Sequence, residues 1–219
     1  MVGDMRRVLV IGCPGAGKST FARRLRDATG LPLYYLDMLW HKPDRTNVSR
    51  DEFDARLRGI LERDTWIIDG NFARTLPERL ERCDTVFFLD VPTETCLAGV
   101  EARIGTQRED MPWIEHEFDE EFRRYIIDFP RERRPQIIRM LADAAARGVR
   151  VRTLRSRGEF ETALADARRN MGDGDDADLP RGHQPRIARR MQAIKACGTS
   201  GATAPIMRST GTPSPMEPR

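Results

Sequence analysis

The sequence predicts an α/β fold, a parallel sheet covered by helices on both faces, in one domain followed by a tail. Three observations predict it. Short runs rich in Val, Ile and Phe alternate along residues 7–154 with stretches of helical periodicity, the pattern of repeated strand–helix–strand units. The first run passes straight into a glycine-rich loop that opens a helix. Two later runs end in aspartate, at Asp69 and Asp90, as buried parallel strands do where they reach a ligand-facing edge.

The elements follow in order. "RVLVIG" (7–12) is a short apolar run and predicts the first strand. Lys18 to Ala28 predicts a helix closed by Gly30, and "LPLYYLD" (31–37) a second strand. Ser49-x-x-Glu52 is a capping-box signal, after which Phe53, Leu57, Ile60 and Leu61 recur at helical spacing. "TWIIDG" (65–70) and "TVFFLD" (85–90) predict two buried strands. Leu97, Val100 and Ile104 mark a helix after Pro92, and Phe118, Phe122, Tyr125, Ile126 and Phe129 mark another. Ile137, Ile138, Leu141 and Ala145 mark a third, stopped by Gly148. "VRVRTL" (149–154) alternates as the last strand, and a helix from Glu159 to about Asn170 completes the domain.

Beyond Met171 the composition changes. Residues 172–219 hold six of the fourteen prolines, the run "GDGDDAD" and a Ser/Thr/Gly/Pro-rich end, and the last aromatic is Phe160. Such a segment buries too little apolar surface to offset its ordering entropy, so 172–219 is expected to be a disordered tail. Within it "RIARRMQAIKA" (186–196) is basic and amphipathic, suited to becoming helical on a partner.

Composition narrows the function. Charged residues are 32% and apolar ones 39%, and no run approaches the roughly 18 residues of a membrane helix. The apolar run at 8–11 is too short for a signal peptide, so the chain is expected in the cytoplasm. The net charge is +3, of which the tail, with seven Lys/Arg and five Asp/Glu, carries +2. A body near neutrality has no electrostatic footprint for DNA; any direct DNA contact would come through the tail. Cys13, Cys83, Cys96 and Cys197 lack C-x-x-C spacing and are expected to be reduced thiols. Cys13 lies inside the glycine loop, where oxidation would obstruct it.

The loop itself, "IGCPGAGKST" (11–20), matches G-x-x-x-x-G-K-[ST] at Gly12, Gly17, Lys18 and Ser19. Glycines let the backbone curl so that successive N–H groups converge on phosphate oxygens, and the helix opening at Lys18 adds the positive end of its dipole. The candidate nucleotide-binding residues are therefore Gly12, Cys13, Pro14, Gly15, Ala16, Gly17, Lys18, Ser19 and Thr20. Lys18 would reach the β- and γ-phosphates of ATP or GTP, and the Ser19 hydroxyl would ligate Mg²⁺. Either strand-end aspartate, Asp69 or Asp90, could serve the ion through water.

"GxPGxGKST" near the N-terminus resembles the loop of nucleoside monophosphate kinases and shikimate-type kinases. "WIIDGNFART" (66–75) resembles the "DGFPRT" segment of adenylate kinases, with one extra residue, and "DTVFFLDVP" (84–92) resembles their next strand and turn. Together with "LYYLDMLWHKP", "DEFDARLRGIL", "RPQII" and "VRTLRSRGE", these segments are most similar to adenylate kinase-related bacterial proteins known as DNA topology modulation proteins. The resemblance covers about 6–170. It implies a P-loop NTPase three-layer sandwich with a five-stranded parallel sheet, nucleoside monophosphate kinase-like, with a small helical lid near 104–135. It implies Mg·ATP as cofactor and a small-molecule phosphate acceptor, such as a nucleoside monophosphate, for a monomer or dimer. The alternative it carries is an ATP-dependent regulator of DNA topology.

The same resemblance favours Asp69 over Asp90 for the metal. It points to Arg74, as a contact to the acceptor phosphate, and to the lid arginines Arg103 and Arg123 as residues that join Lys18 in catalysis, with Arg124 beside Arg123 on the helix that returns from the lid. Asp37 matches a substrate-facing carboxylate of small-molecule kinases, with Trp40 and His41 beside it; His41 has no orienting partner visible in the sequence. Asp37–Trp40 stand where adenylate kinases carry their AMP-reading threonine and arginine. The stretch 105–122 is short and acidic and has no zinc-lid cysteines.

Overall fold

The computed structural model describes residues 5–172. Five parallel strands form one sheet in the order β2-β3-β1-β4-β5: β1 (Arg7–Gly12), β2 (Leu33–Tyr35), β3 (Trp66–Asp69), β4 (Thr85–Leu89) and β5 (Arg150–Leu154). Arg7 to Val10 pair with Trp66 to Asp69 on one side of β1, and Val8 to Gly12 pair with Thr85 to Leu89 on the other. The three central strands are buried throughout save Arg7, which is why they read as unbroken apolar runs.

Helices α1 (Lys18–Thr29) and α8 (Arg157–Gly172) pack together, with α1 against β1, β2 and β3. Helix α4 (Leu76–Arg82) lies on β1 and contacts α7 (Arg134–Ala146), which lies on β5. Phe21 of α1 touches Phe87 of β4 and Phe160 of α8 at centroid distances of 5.0 and 5.7 Å, tying the helical layer to the sheet. The remaining helices are α2 (Leu36–Trp40), α3 (Arg50–Leu61), α5 (Thr93–Glu101) and α6 (Glu120–Glu132). The architecture is the parallel, helix-covered sheet that the alternation of runs predicts.

Three local differences have physical causes. β2 ends at Tyr35 rather than running to Asp37, because Leu36 turns inward, fully buried, against the backbone of Gly70, and starts α2. Helix α4 goes unpredicted because its seven residues carry only two apolar positions, Leu76 and Leu80. Half of the predicted capping box forms: Ser49 Oγ accepts from the Glu52 N–H at 3.1 Å, but the Glu52 carboxylate pairs with Arg56 instead of returning to the cap. The segment read as a disordered tail lies outside the described residues except for Gly172, the last residue of α8. Among the described residues no helix is long and apolar enough to cross a membrane.

Candidate active site

The site forms where β1 ends, between β3 and β4, at the carboxyl edge of the sheet. The glycine loop leaves β1 at Gly12 and enters α1 at Lys18. Its shape depends on a close approach to α5. Gly15 has φ of 80°, and a Cβ there would overlap the carbonyl of Cys96; a Cβ on Gly99 would overlap the carbonyl of Gly15. Two glycines thus let loop and helix touch backbone to backbone, which is the use glycine has at such contacts.

The loop's first residue is held by a side chain that the sequence reading did not single out. Asn71 accepts from the Gly12 N–H at 3.0 Å and donates to the Gly12 carbonyl at 2.7 Å, a two-point clamp from the turn after β3. That turn is in turn held by Arg79, which is fully buried. Its guanidinium donates to the carbonyls of Gly70 (2.9 Å), Asn71 and Phe72 (3.0 Å), and its Nε to Thr75 (3.3 Å). Burial pulls its pKa down to about 9. Asn71 lies within the 66–75 segment, whose resemblance assigns it no role, and Arg79 belongs to no local motif; only the turn's need for partners to its carbonyls explains Arg79.

Lys18 Nζ donates to the Cys13 carbonyl at 3.0 Å. Ser19 Oγ donates to a carboxylate oxygen of Asp110 at 3.0 Å. Asp69 is 5% exposed, and its Oδ1 has no hydrogen-bond partner. Burial lifts its pKa to about 6, helped by Asp110 and Asp37 and opposed by Lys18 and Ser19. A small polar cavity joins Lys18, Ser19, Asp37, Asp69, Arg103 and Asp110. The donors are all oxygens, and a buried carboxylate oxygen without a partner costs roughly 1–3 kcal/mol. A metal-bound water would satisfy that oxygen, so Ser19 and Asp69 fit Mg²⁺, which prefers oxygen ligands and keeps its waters.

Asp90 is placed differently. Both of its oxygens accept from Arg134 at 2.7 Å, at the start of α7, beside a cavity of about 380 Å³ also lined by Cys13 and Cys96. Cys13 is 5% exposed. Its contact with Cys96 and its burial raise its pKa.

The predicted arginines separate. Arg103 reaches the site, with its Nε 3.3 Å from Glu115. Arg123 does not reach it: it pairs with Glu101 at 2.8 Å and stacks on Phe118. Arg74 is exposed and makes two bonds to Asp54 of α3, at 2.9 and 2.7 Å. In both cases a nearby carboxylate on a neighbouring helix takes the guanidinium, something invisible to sequence spacing. Arg23 and Arg108, which the sequence did not distinguish from other arginines, do line the glycine-loop cavity. Asp37 lines the same cavity as Ser19 and Asp69, while Trp40 packs edge-on against Phe53 at 5.5 Å and Phe72 at 6.3 Å. His41 is oriented after all, with Nδ1 2.7 Å from Asn47 Oδ1 and Nε2 4.0 Å from Asp37.

Fold and loop together define a P-loop nucleotide-binding domain of the kinase-like kind. The chain belongs to the AAA domain family, whose family model matches residues 8–123. Over 88 residues it is 31% identical to the adenylate kinases of Thermotoga petrophila and Thermotoga maritima, and 28% identical to that of Thermotoga neapolitana. The matched stretch spans 39% of this chain and 39% of the length of those relatives. Among solved structures, a shikimate kinase from Bacteroides thetaiotaomicron is 18% identical with a TM-score of 0.46, covering 77% of this chain and 99% of its own. A sugar kinase from a Janibacter species is 19% identical with a TM-score of 0.41, over 74% and 93%.

Proposed function

We propose that this protein is a phosphotransferase that binds Mg·ATP on residues 12–20 and passes the γ-phosphoryl group to a small acceptor. The observation that carries the reading is the convergence of Lys18, Ser19, Asp69 and Arg103 in one cavity at the glycine loop, with Asp37 opening onto it. In the reaction the bond between the γ-phosphorus and the β–γ bridging oxygen breaks, a bond from an acceptor oxygen forms, and ADP leaves, with the proton of a hydroxyl acceptor passing to Asp37 or solvent water. Loop N–H groups and Lys18 hold the phosphates, while Arg103, Arg23 and Arg108 supply positive charge over the transferred group. Mg²⁺ held through Ser19 and Asp69 would offset charge on the β- and γ-oxygens.

The likeness to adenylate kinases makes a nucleoside monophosphate the first acceptor to try. A hydroxyl-bearing metabolite has a specific observation in its favour. Asp37 lines the cavity at the glycine loop with a carboxylate suited to orienting a hydroxyl, whereas Arg74 is engaged by Asp54 and would have to change partner to meet an acceptor phosphate.

The test is ADP release from Mg·ATP against a panel of nucleoside monophosphates and small hydroxylated metabolites, with Lys18→Ala as blank. Acceptor-dependent release that the variant lacks supports the reading. Release without acceptor dependence would make the protein an ATPase. Tight ATP binding with a flat panel would favour a nucleotide-dependent regulator, the DNA topology reading among such roles.

A further inference from the structure

We propose that Asp110, on the segment between α5 and α6, is a ligand of the magnesium ion that accompanies ATP, acting beside Ser19 and Asp69 once nucleotide is bound. The inference rests on the ATP-binding reading above. Asp110 is 6% exposed, unusual for an aspartate on an irregular segment, and its carboxylate meets the Ser19 hydroxyl, the side chain that a P-loop offers to its metal. An independent observation marks the same spot. Asp69 lines the same cavity and keeps a buried Oδ1 without a partner. Two carboxylates and a hydroxyl therefore share one small space, all of them hard oxygen donors.

A carboxylate here could instead merely fill the phosphate seat. That occupant would make its closest contacts to the phosphate-holding cations, Lys18 first among them. Lys18 points its ammonium to the Cys13 carbonyl, and Asp110 meets the metal-binding hydroxyl. Arg108 and Arg23 approach Asp110 only at 3.6 and 3.8 Å, longer than the Ser19 contact. Arg108 is braced by Glu115 at 3.0 Å, and Glu115 also meets Arg103. The segment is thus held over the loop by its own ion pairs, with Asp110 at its inner point. Among the described residues no three His, Cys, Asp or Glu side chains could hold a metal by themselves. Phosphate oxygens and water must complete the shell, so the ion joins Asp110 only in the presence of ATP.

The experiment measures the affinity of the full chain for N-methylanthraniloyl-ATP with Mg²⁺ and with EDTA, in wild type, Asp110→Asn and Asp110→Glu. The wild type is expected to bind more tightly with Mg²⁺. Asp110→Asn keeps a hydrogen-bond acceptor for Ser19, so it should fold, as a thermal melt would register. Its gain from Mg²⁺ should shrink roughly tenfold or more, the scale set by losing a group that supports a metal. Its affinity for metal-free nucleotide should hold or improve. Asp110→Glu, which keeps the carboxylate, should recover part of the gain. With Mn²⁺ in place of Mg²⁺ and unmodified ATP, water-proton relaxation should report weaker ternary binding in Asp110→Asn than in wild type. An undiminished Mg²⁺ gain in Asp110→Asn overturns the proposal. So does equal tightening with and without the ion, which would make Asp110 an occupant of the phosphate seat. A wild type that binds nucleotide in neither buffer overturns the ATP reading itself and the role of Asp110 with it.

Discussion

Replacing Arg79 by Met tests how the glycine loop is supported from beneath. The guanidinium is fully buried and donates to four backbone carbonyls, three of them in the Gly70–Phe72 turn. Met fills much of the same volume but donates nothing. Each hydrogen bond from a charged group contributes about 1.5–3 kcal/mol, and a carbonyl left without a partner costs about 1–3 kcal/mol. Two effects reduce that total: residues 70–72 are only half-buried, so water can reach some carbonyls, and the desolvation that lowers the Arg79 pKa is relieved. No charge is left unpaired, since every partner is a neutral carbonyl, so the net loss is about 2–4 kcal/mol, the scale of one or two carbonyls left without partners. Urea denaturation at neutral pH measures it. The loss should extend to function, because the Asn71 clamp on Gly12 springs from the same turn. Nucleotide affinity should therefore fall more than in Arg74→Ala, an exposed pair worth at most about 1 kcal/mol. Arg79→Lys keeps the charge but cannot span three carbonyls, and should recover only part of the stability. A loss below about 1 kcal/mol in Arg79→Met would refute the reasoning.

Two further predictions follow from the same geometry. Asp69 titrates near 6 in the folded protein against 3.8 when unperturbed, because burial disfavours its charge. The folded state therefore holds its proton to higher pH; this favours folding below about 4 and is lost as pH rises through 6, about 3 kcal/mol for a shift of roughly two units. Asp69→Asn should accordingly match the wild type near pH 4 and be more stable by up to about 3 kcal/mol at pH 8, measured by denaturation without metal; equal stability at both pH values would contradict the burial argument. Gly99→Ala forces a Cβ onto the Gly15 carbonyl. Overpacking of this kind costs about 1–3 kcal/mol, so the variant should melt earlier and bind nucleotide more weakly, and an unchanged melt would show that α5 can move aside freely.

How much of this was readable from the residues depends on whether the signal was local. The loop from Gly12 to Thr20 and the strand ending in Asp69 announce themselves, because a phosphate cradle and a buried parallel strand each need particular residues in a row. Asp110, Asn71 and Arg79 act across 91, 59 and up to 9 positions of sequence, through contacts that no spacing rule encodes. The arginines show the limit most clearly. Arg103, Arg74 and Arg123 look alike in a chain rich in arginine; what separates them is where the carboxylate opposite each one sits, Asp54 on α3 for Arg74, Glu101 on α5 for Arg123, and Glu115 on the segment before α6 for Arg103.

The most direct test follows the phosphorus. ³¹P NMR of wild-type protein with Mg·ATP and the best acceptor should show the γ-phosphate signal replaced by ADP and a new phosphorylated acceptor, with Lys18→Ala leaving ATP intact. Conversion of ATP to inorganic phosphate alone, or an unchanged spectrum with every acceptor tried, would contradict phosphoryl transfer as the function of this site.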